Sequence, residues 1–430
     1  MVRKWTRRLV VVAALVAALV MAAAGCSSSS KSPAPTSPAP TATARSSSVG
    51  GSSAPAATPT ITIGVLTDLS GLAASTETSV PLGVKAGVGT AAEQGYNIKY
   101  VVADAATSPT GALTAAQKLV DQDHVFGVIG LSALTFAAAP FLTSHGVPVV
   151  GASIDGPEWV TANNMFSIDG TEDYSKAYDT FGKFFKMEGV TNLSALGYGI
   201  TPSSALSTKG TAVSAEAAGI KVGYLNANFP FGSTNVGPAA LAIKDAGSDG
   251  LYTGVETSTG FALLTALRHE AAHLKAAILP IGYGGDLLQA GAAAQQAAQG
   301  VYFTVGYQPV EMHTAATERF QAALQKYAGV TTDPTFNEYL AYLSVDGFVT
   351  GLKAAGANPT PTSFISAMQG ITHYDAAGLY GSYSIGFSMG QRGAASAQCL
   401  WMTQFSGSSF QLVAGADPIC GTVIPGKVVS

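Results

Sequence analysis

Charge is scarce in this 430-residue sequence: Asp, Glu, Lys and Arg together make up 11% of it. No basic stripe with interleaved aromatics occurs, which argues against nucleic acid as a partner. Cysteine is scarcer still, at three residues. The one long apolar run, residues 9–24, is too short and wrongly flanked for a stable membrane span. The phosphate-cradling pattern GxxxxGK[ST] is missing, so nothing marks a nucleotide-hydrolysing site.

What stands around the apolar run gives it a meaning. Arg3, Lys4, Arg7 and Arg8 precede it, and Ala23-Ala24-Gly25-Cys26 closes it. A basic start, an apolar middle and small residues at the end read as an export signal over 1–25. The last four residues resemble the lipobox of bacterial lipoproteins, with Ala23 where leucine is usual. Cys26 is then the lipid site, and the expected location is the outer face of a membrane. Thr6-Arg7-Arg8 hints at twin-arginine export, but the rest of that motif is missing. Loss of the four bases leaves 18 basic against 26 acidic residues, a net charge near −8. Residues 26–60 are almost wholly Ser, Pro, Ala, Thr and Gly, a composition that cannot bury a core and reads as a tether. Cys399 and Cys420 remain, and two cysteines in an exported protein point to one disulfide.

From residue 61 onward, short apolar runs alternate with helix-length segments. Strands are expected at 61–66, 98–103, 125–129 and 147–150, with helices at 80–94, 109–121 and 135–144 between them. A second series places helices at 174–188, 204–218, 236–246 and 261–273. Its strands fall at 193–196, 221–225, 250–254, 276–281 and 301–306. Helices follow at 311–328, 337–355 and 362–370. The tail reads as antiparallel strands at 381–386, 398–405 and 410–413, turned at Ser406-Gly407-Ser408. The fold class is therefore α/β, with two doubly wound parallel-sheet lobes and a cleft between them.

The stretch 125–155 is the most informative. Two strand-like runs stop at Gly130 and Gly151, and each leads into a small polar loop, Leu131-Ser132-Ala133-Leu134-Thr135 and Ala152-Ser153-Ile154-Asp155. Ligands of open α/β sheets sit beyond the carboxyl ends of the strands. Small hydroxyls and free N–H groups at a helix start suit a carboxylate or another anion.

These segments also carry a resemblance. ITIGVLTDLSG at 61–71, VVADAATSPTGALTAAQKLVDQD from Val101, the 125–157 unit and FPFGSTNVGPAALAIKDAGSDGLYTG at 229–254 resemble, in order, the type I periplasmic binding proteins. The branch they resemble most is the branched-chain amino-acid and amide-binding receptors of ATP-driven (ABC) importers. The resemblance implies two lobes joined by a three-segment hinge, with lobe one at 61–169 and 310–378 and lobe two at 170–305 and 380–425. It implies a monomer that binds an amino-acid- or amide-like solute without a cofactor and hands it to a permease. Carried over, the ligand carboxylate meets Ser132, Thr135, Ser153 and the position of Asp155. The family has threonine where Asp155 stands, and an acid there repels a carboxylate. The family's aromatic after strand 193–196 falls in Thr201-Pro202-Ser203-Ser204, which leaves Ser203 in its place. The acid that pairs with a ligand ammonium maps to Asp286, with Glu256 as the second candidate.

Two other readings compete. A lipoprotein of this fold can sense or scaffold without transport. His269-Glu270-Ala271-Ala272-His273 matches HExxH, which on a helix would set two imidazoles on one face for zinc, with Glu270 as base. No third ligand stands at a recognisable spacing, and Leu263, Leu264, Leu267 and Leu274 account for the helix as a buried one, so no metal is expected. Asp68-Leu69-Ser70-Gly71 is a weaker echo of an aspartic-protease loop without its second acid.

Overall fold

The computed structural model describes residues 60–170, 173–392, 399–413 and 417–430. The export signal, Cys26 and all but the last residue of the tether lie outside the described residues.

The first apolar runs form β1 (Ile61–Thr67), β2 (Ile98–Asp104), β3 (Gly127–Leu131), β4 (Val149–Gly151) and β5 (Met165–Ser167). They pair in the order β2-β1-β3-β4-β5, and every pair is parallel. β3, β4 and β5 are wholly buried, as strands with helices on both faces must be. Register sets the site: Thr67 lies opposite Asp104 and Leu131, and Gly151 lies opposite Gly130 and Ser167. The loops after these strands therefore gather at one edge.

The second sheet holds β7 (Asn192–Tyr198), β8 (Lys221–Phe229), β9 (Gly250–Gly254), β10 (Ala276–Leu279), β11 (Tyr302–Val305), β12 (Cys399–Ser406) and β13 (Ser409–Leu412). Its order is β13-β12-β11-β10-β9-β7-β8, parallel from β7 to β11 and antiparallel beyond. β14 (Ile419–Cys420) adds to β12 and brings Cys420 opposite Cys399, and the two are joined by a disulfide. A loop of this length stabilises by about 3 kcal/mol on the chain-entropy view.

Three expected elements differ. The helix expected over 174–188 begins as β6 (Lys176–Tyr178) and turns helical only at Thr180–Met187. Pairing with β15 (Val423–Val428), far away in sequence, overrides the local pattern. The strand expected at 381–386 is reduced to one bridge, Tyr374 to Ile385. The helix expected over 261–273 runs from Thr257 to His269. It ends in a Schellman motif: Ala272 N donates to Leu267 O at 3.0 Å, Ala271 N donates to Arg268 O at 3.1 Å, and Ala271 is left-handed at φ 53°.

The chain crosses between the sheets three times, near 168–175, 306–310 and 379–392. The crossings hold one another. Gln308 N donates to Leu379 O at 2.8 Å, the Tyr380 hydroxyl donates to Ile168 O, and the Tyr383 hydroxyl donates to Gly306 O at 2.6 Å. Tyr380 stacks on Tyr383 with ring centres 4.4 Å apart. After the second crossing the helix Phe336–Ala355 returns to the first sheet. Its cap is a reciprocal box, with Thr335 Oγ1 accepting from Glu338 N and Glu338 Oε2 accepting from Thr335 N. The helix lies tightly on the helix Val80–Glu93 because Gly83 and Gly87 face it; a Cβ on Gly83 would stand 2.5 Å from Glu338 O.

Candidate functional site

The loops of the first sheet are knotted around Asp68, which follows β1 and is fully buried. Its Oδ1 accepts from Thr107 N at 2.7 Å; its Oδ2 accepts from Ser132 Oγ at 3.0 Å and Ala133 N at 2.9 Å. The Ser132 hydroxyl is thereby taken up, and it also accepts from Leu134 N. Thr135 Oγ1 donates to Ser132 O at 2.8 Å. Asp155 accepts from Phe136 N at 2.6 Å and from Trp159 Nε1 at 2.9 Å. Glu158 lies beside it, and burial together with the charge of Asp155 pushes the Glu158 carboxyl well above the usual carboxylate range. The side chains of Ser132, Thr135 and Asp155 thus bond within their own lobe.

Three second-lobe candidates reach across to the first lobe instead. Ser203, in the first turn of the helix Pro202–Ala217, donates from Oγ to Ile154 O at 2.6 Å and from N to Asp155 O at 3.2 Å. Glu256 Oε2 accepts from Thr76 Oγ1 at 2.6 Å, and burial pushes its carboxyl up to about 7. Glu77 is buried close by and is raised well above the usual carboxylate range by burial and by Glu256. Asp286 Oδ2 accepts from Phe336 N at 3.0 Å and is likewise pushed up to about 7. Glu256 and Glu77 line a chamber of about 50 Å³, with Ile154 and Phe336 also in its wall. Asp286 borders a separate groove with Ser79 and Thr335.

A cavity of about 200 Å³, larger than that chamber and smaller than the groove of about 380 Å³ beside Asp286, lies nearer the crossings. Ser153 and Asp169 border it from the first sheet, Gly254, Pro280 and Thr304 from the strand ends of the second, and Tyr307 and Tyr383 from the crossings. Of the seven candidates, Ser153 and Ser203 are the two that line it. The Ser153 hydroxyl is buried and has no hydrogen-bond partner among the described residues. Asp169 Oδ1 accepts from Ser153 N at 3.2 Å and from the Ser167 hydroxyl, and burial pushes Asp169 up to about 6. Asp169, Tyr307 and Tyr383 were not legible as site residues. The available signal was slight: an acid before a glycine, Asp169-Gly170, where the first sheet runs out.

Neither enzyme-like string has its setting. In HExxH the helix stops at His269 and Ala271 is left-handed, so the two imidazoles do not share a helix face. Glu270 pairs with Lys244 at 3.0 Å on the surface. Among the described residues no cluster of three or more His, Cys, Asp or Glu could hold a metal. Gly386-Phe387-Ser388-Met389-Gly390 has the letters of a nucleophile elbow without its strand and helix. Ser388 precedes a three-residue 3₁₀ turn, and its hydroxyl donates to Gln391 Oε1 at 3.0 Å.

Known structures share this architecture. A substrate-binding protein of an ABC transporter from Aeropyrum pernix aligns with a TM-score of 0.70 at 16% identity, covering 86% of this chain and 97% of that one. A leucine-binding protein from Thermotoga maritima aligns at 0.68 and 15%, covering 82% and 98%. A solute-binding protein of Rhodopseudomonas palustris BisB5, solved with 3,4-dihydroxybenzoic acid, aligns at 0.68 and 18%, covering 85% and 97%. At these identities the likeness speaks for the fold. No curated protein is a significant match. The family model described as periplasmic binding protein matches residues 60–409. With two sheets, three crossings and that match over most of its length, the chain belongs to the type I periplasmic binding proteins.

Proposed function

We propose that this chain is an extracytoplasmic receptor that captures a small polar solute, amino-acid- or amide-like, between its lobes and delivers it to an ABC permease. The observation that carries the reading is the cavity of about 200 Å³ at the carboxyl ends of both sheets, bordered by the crossings. It is smaller than the roughly 300–1,000 Å³ of pockets for drug-sized ligands, which suits a metabolite. A solute touching both lobes binds the closed arrangement better than an open one, and that difference is what drives closure.

Lipidation of Cys26 would hold the receptor at the membrane, with residues 26–60 as its leash. Cell fractionation should find the Cys26→Ala chain released into the soluble fraction; retention in the membrane would dismiss the anchor. For the receptor reading, the full-length protein is heated with amino acids, amides and small amines in turn. A solute at a hundred times its Kd stabilises the folded state by about 2.7 kcal/mol, visible as a shift of several degrees. A flat response to every solute class would count against a receptor.

A further inference from the structure

Among the described residues the cavity beside the crossings has one charged group and no counter-charge, and the adjoining undescribed position 172 is a further acid, Glu172. Asp169 lines it, while no Lys, Arg or His does among the described residues. The sequence positions that adjoin the lining segments but are not described, 171–172 and 393–398, hold no base either. Both donors to Asp169, Ser153 N and the Ser167 hydroxyl, converge on Oδ1. Oδ2 takes no bond from the described residues. The buried hydroxyl of Ser153, whose N–H donates to Oδ1, lacks a partner among the described residues. Tyr174, Phe181, Tyr252, Tyr307 and Tyr383 add aromatic rings to the wall.

We propose that this cavity is the ligand site and that its solute is a small amine, whose ammonium is held by Asp169 while its apolar part lies against the rings. The inference rests on the receptor reading above and narrows its solute class. Three features converge on an ammonium. A half-buried carboxylate without a protein cation is completed by a ligand cation, in a charge-assisted hydrogen bond. Ring faces attract a desolvated cation, as aromatic cages for ammonium groups do. A carboxylate solute, by contrast, would bring a second negative charge next to Asp169 with no base to offset either. The Ser153 hydroxyl offers the ligand a further neutral partner. Asp169 takes here the part that the family resemblance assigned to Asp286 or Glu256, both of which bond to first-lobe groups.

Benzylamine, benzamide and benzoate have nearly the same shape and differ in charge, so they serve as probes. Each is titrated calorimetrically into the full-length protein and into Asp169→Asn. Asparagine keeps an oxygen for Ser153 N and Ser167, so the variant is expected to fold, with a thermal midpoint within a few degrees of the parent. Benzylamine is expected to bind at least tenfold more tightly than benzoate, and Asp169→Asn is expected to remove at least tenfold of that affinity. Equal affinity for benzoate, or undiminished benzylamine binding by a folded Asp169→Asn, overturns the amine assignment and leaves a solute receptor standing. Failure of benzylamine and phenethylamine to bind also overturns it. Should no solute of any charge bind, the receptor reading falls with it.

Discussion

Asp68→Ala is expected to lower the unfolding free energy by about 4 kcal/mol, more than most single substitutions achieve. The side chain is fully buried and takes three hydrogen bonds, from Thr107 N, Ser132 Oγ and Ala133 N. Alanine leaves three buried donors without an acceptor, and each such loss costs on the order of 1–3 kcal/mol before relaxation. The damage should be local as well as global, because those donors belong to the loops after β2 and β3. With Asp68 gone, 132–133 lose their bonds to the loop after β1, and 107 is left with those of the Thr107 hydroxyl, which accepts from Ala73 N at 3.0 Å and donates to Ser70 O at 3.1 Å. Asp68→Asn is the informative companion. Its amide oxygen can serve one side, but its NH₂ then faces a donor on the other, so about half the loss is expected. Urea unfolding of the three proteins decides it; a cost under 1 kcal/mol for alanine would show that the loops are held by their own turns.

That knot also explains which parts of the molecule could be read in advance. The core strands of both sheets were legible because strands buried on both faces are continuous apolar runs. The run at 125–129 became β3, and 250–254 became β9 at the expected bounds. β6 was not, because what makes Lys176–Tyr178 a strand is β15, which lies at the other end of the chain. The end of the helix Thr257–His269 was missed for a different reason: alanine, not glycine, occupies the left-handed position that stops it.

The site divides in the same way. Hydroxyls at the strand ends announced themselves by the pattern of strand, glycine and small polar loop. Their availability did not, since the Ser132 hydroxyl is claimed by an acid 64 residues earlier. Asp155, read as an obstacle to a carboxylate ligand, faces Trp159 and Phe136 N. The residues that make up the cavity wall, Asp169, Tyr307 and Tyr383, belong to crossings, where no periodicity marks a side chain's direction.

Stability is expected to fall as pH rises from about 5 to 7.5, against the habit of proteins whose carboxylates are salt-bridged. The junction between the lobes holds three carboxyls, with Glu77 and Glu256 buried and Asp286 half-buried. Glu256 and Asp286 are pushed up to about 7 by burial and Glu77 is raised well above its usual value. Below about pH 3 these groups are protonated in both folded and unfolded chains and cost nothing. Between their ordinary values and about 7 the unfolded chain releases protons that the folded chain keeps. The folded state then binds more protons, and stability drops with rising pH. Once pH passes 7, Glu256 and Asp286 ionise in both states and their loss levels off, at on the order of 3 kcal/mol for each. Acids with depressed values, such as Asp249 at about 2, lose their contribution only in stronger acid and do not alter this window. Glu77 belongs to the first lobe and Glu256 to the second, so ionising both also sets like charges across the junction. Glu256→Gln keeps an acceptor for Thr76, and Asp286→Asn keeps one for Phe336 N. The advantage of the double variant over the parent should grow by several kcal/mol between pH 5 and pH 8, in urea titrations at both values. Parallel pH curves for the two proteins would mean that these carboxyls ionise freely in the folded state, through water or an opening of the lobes.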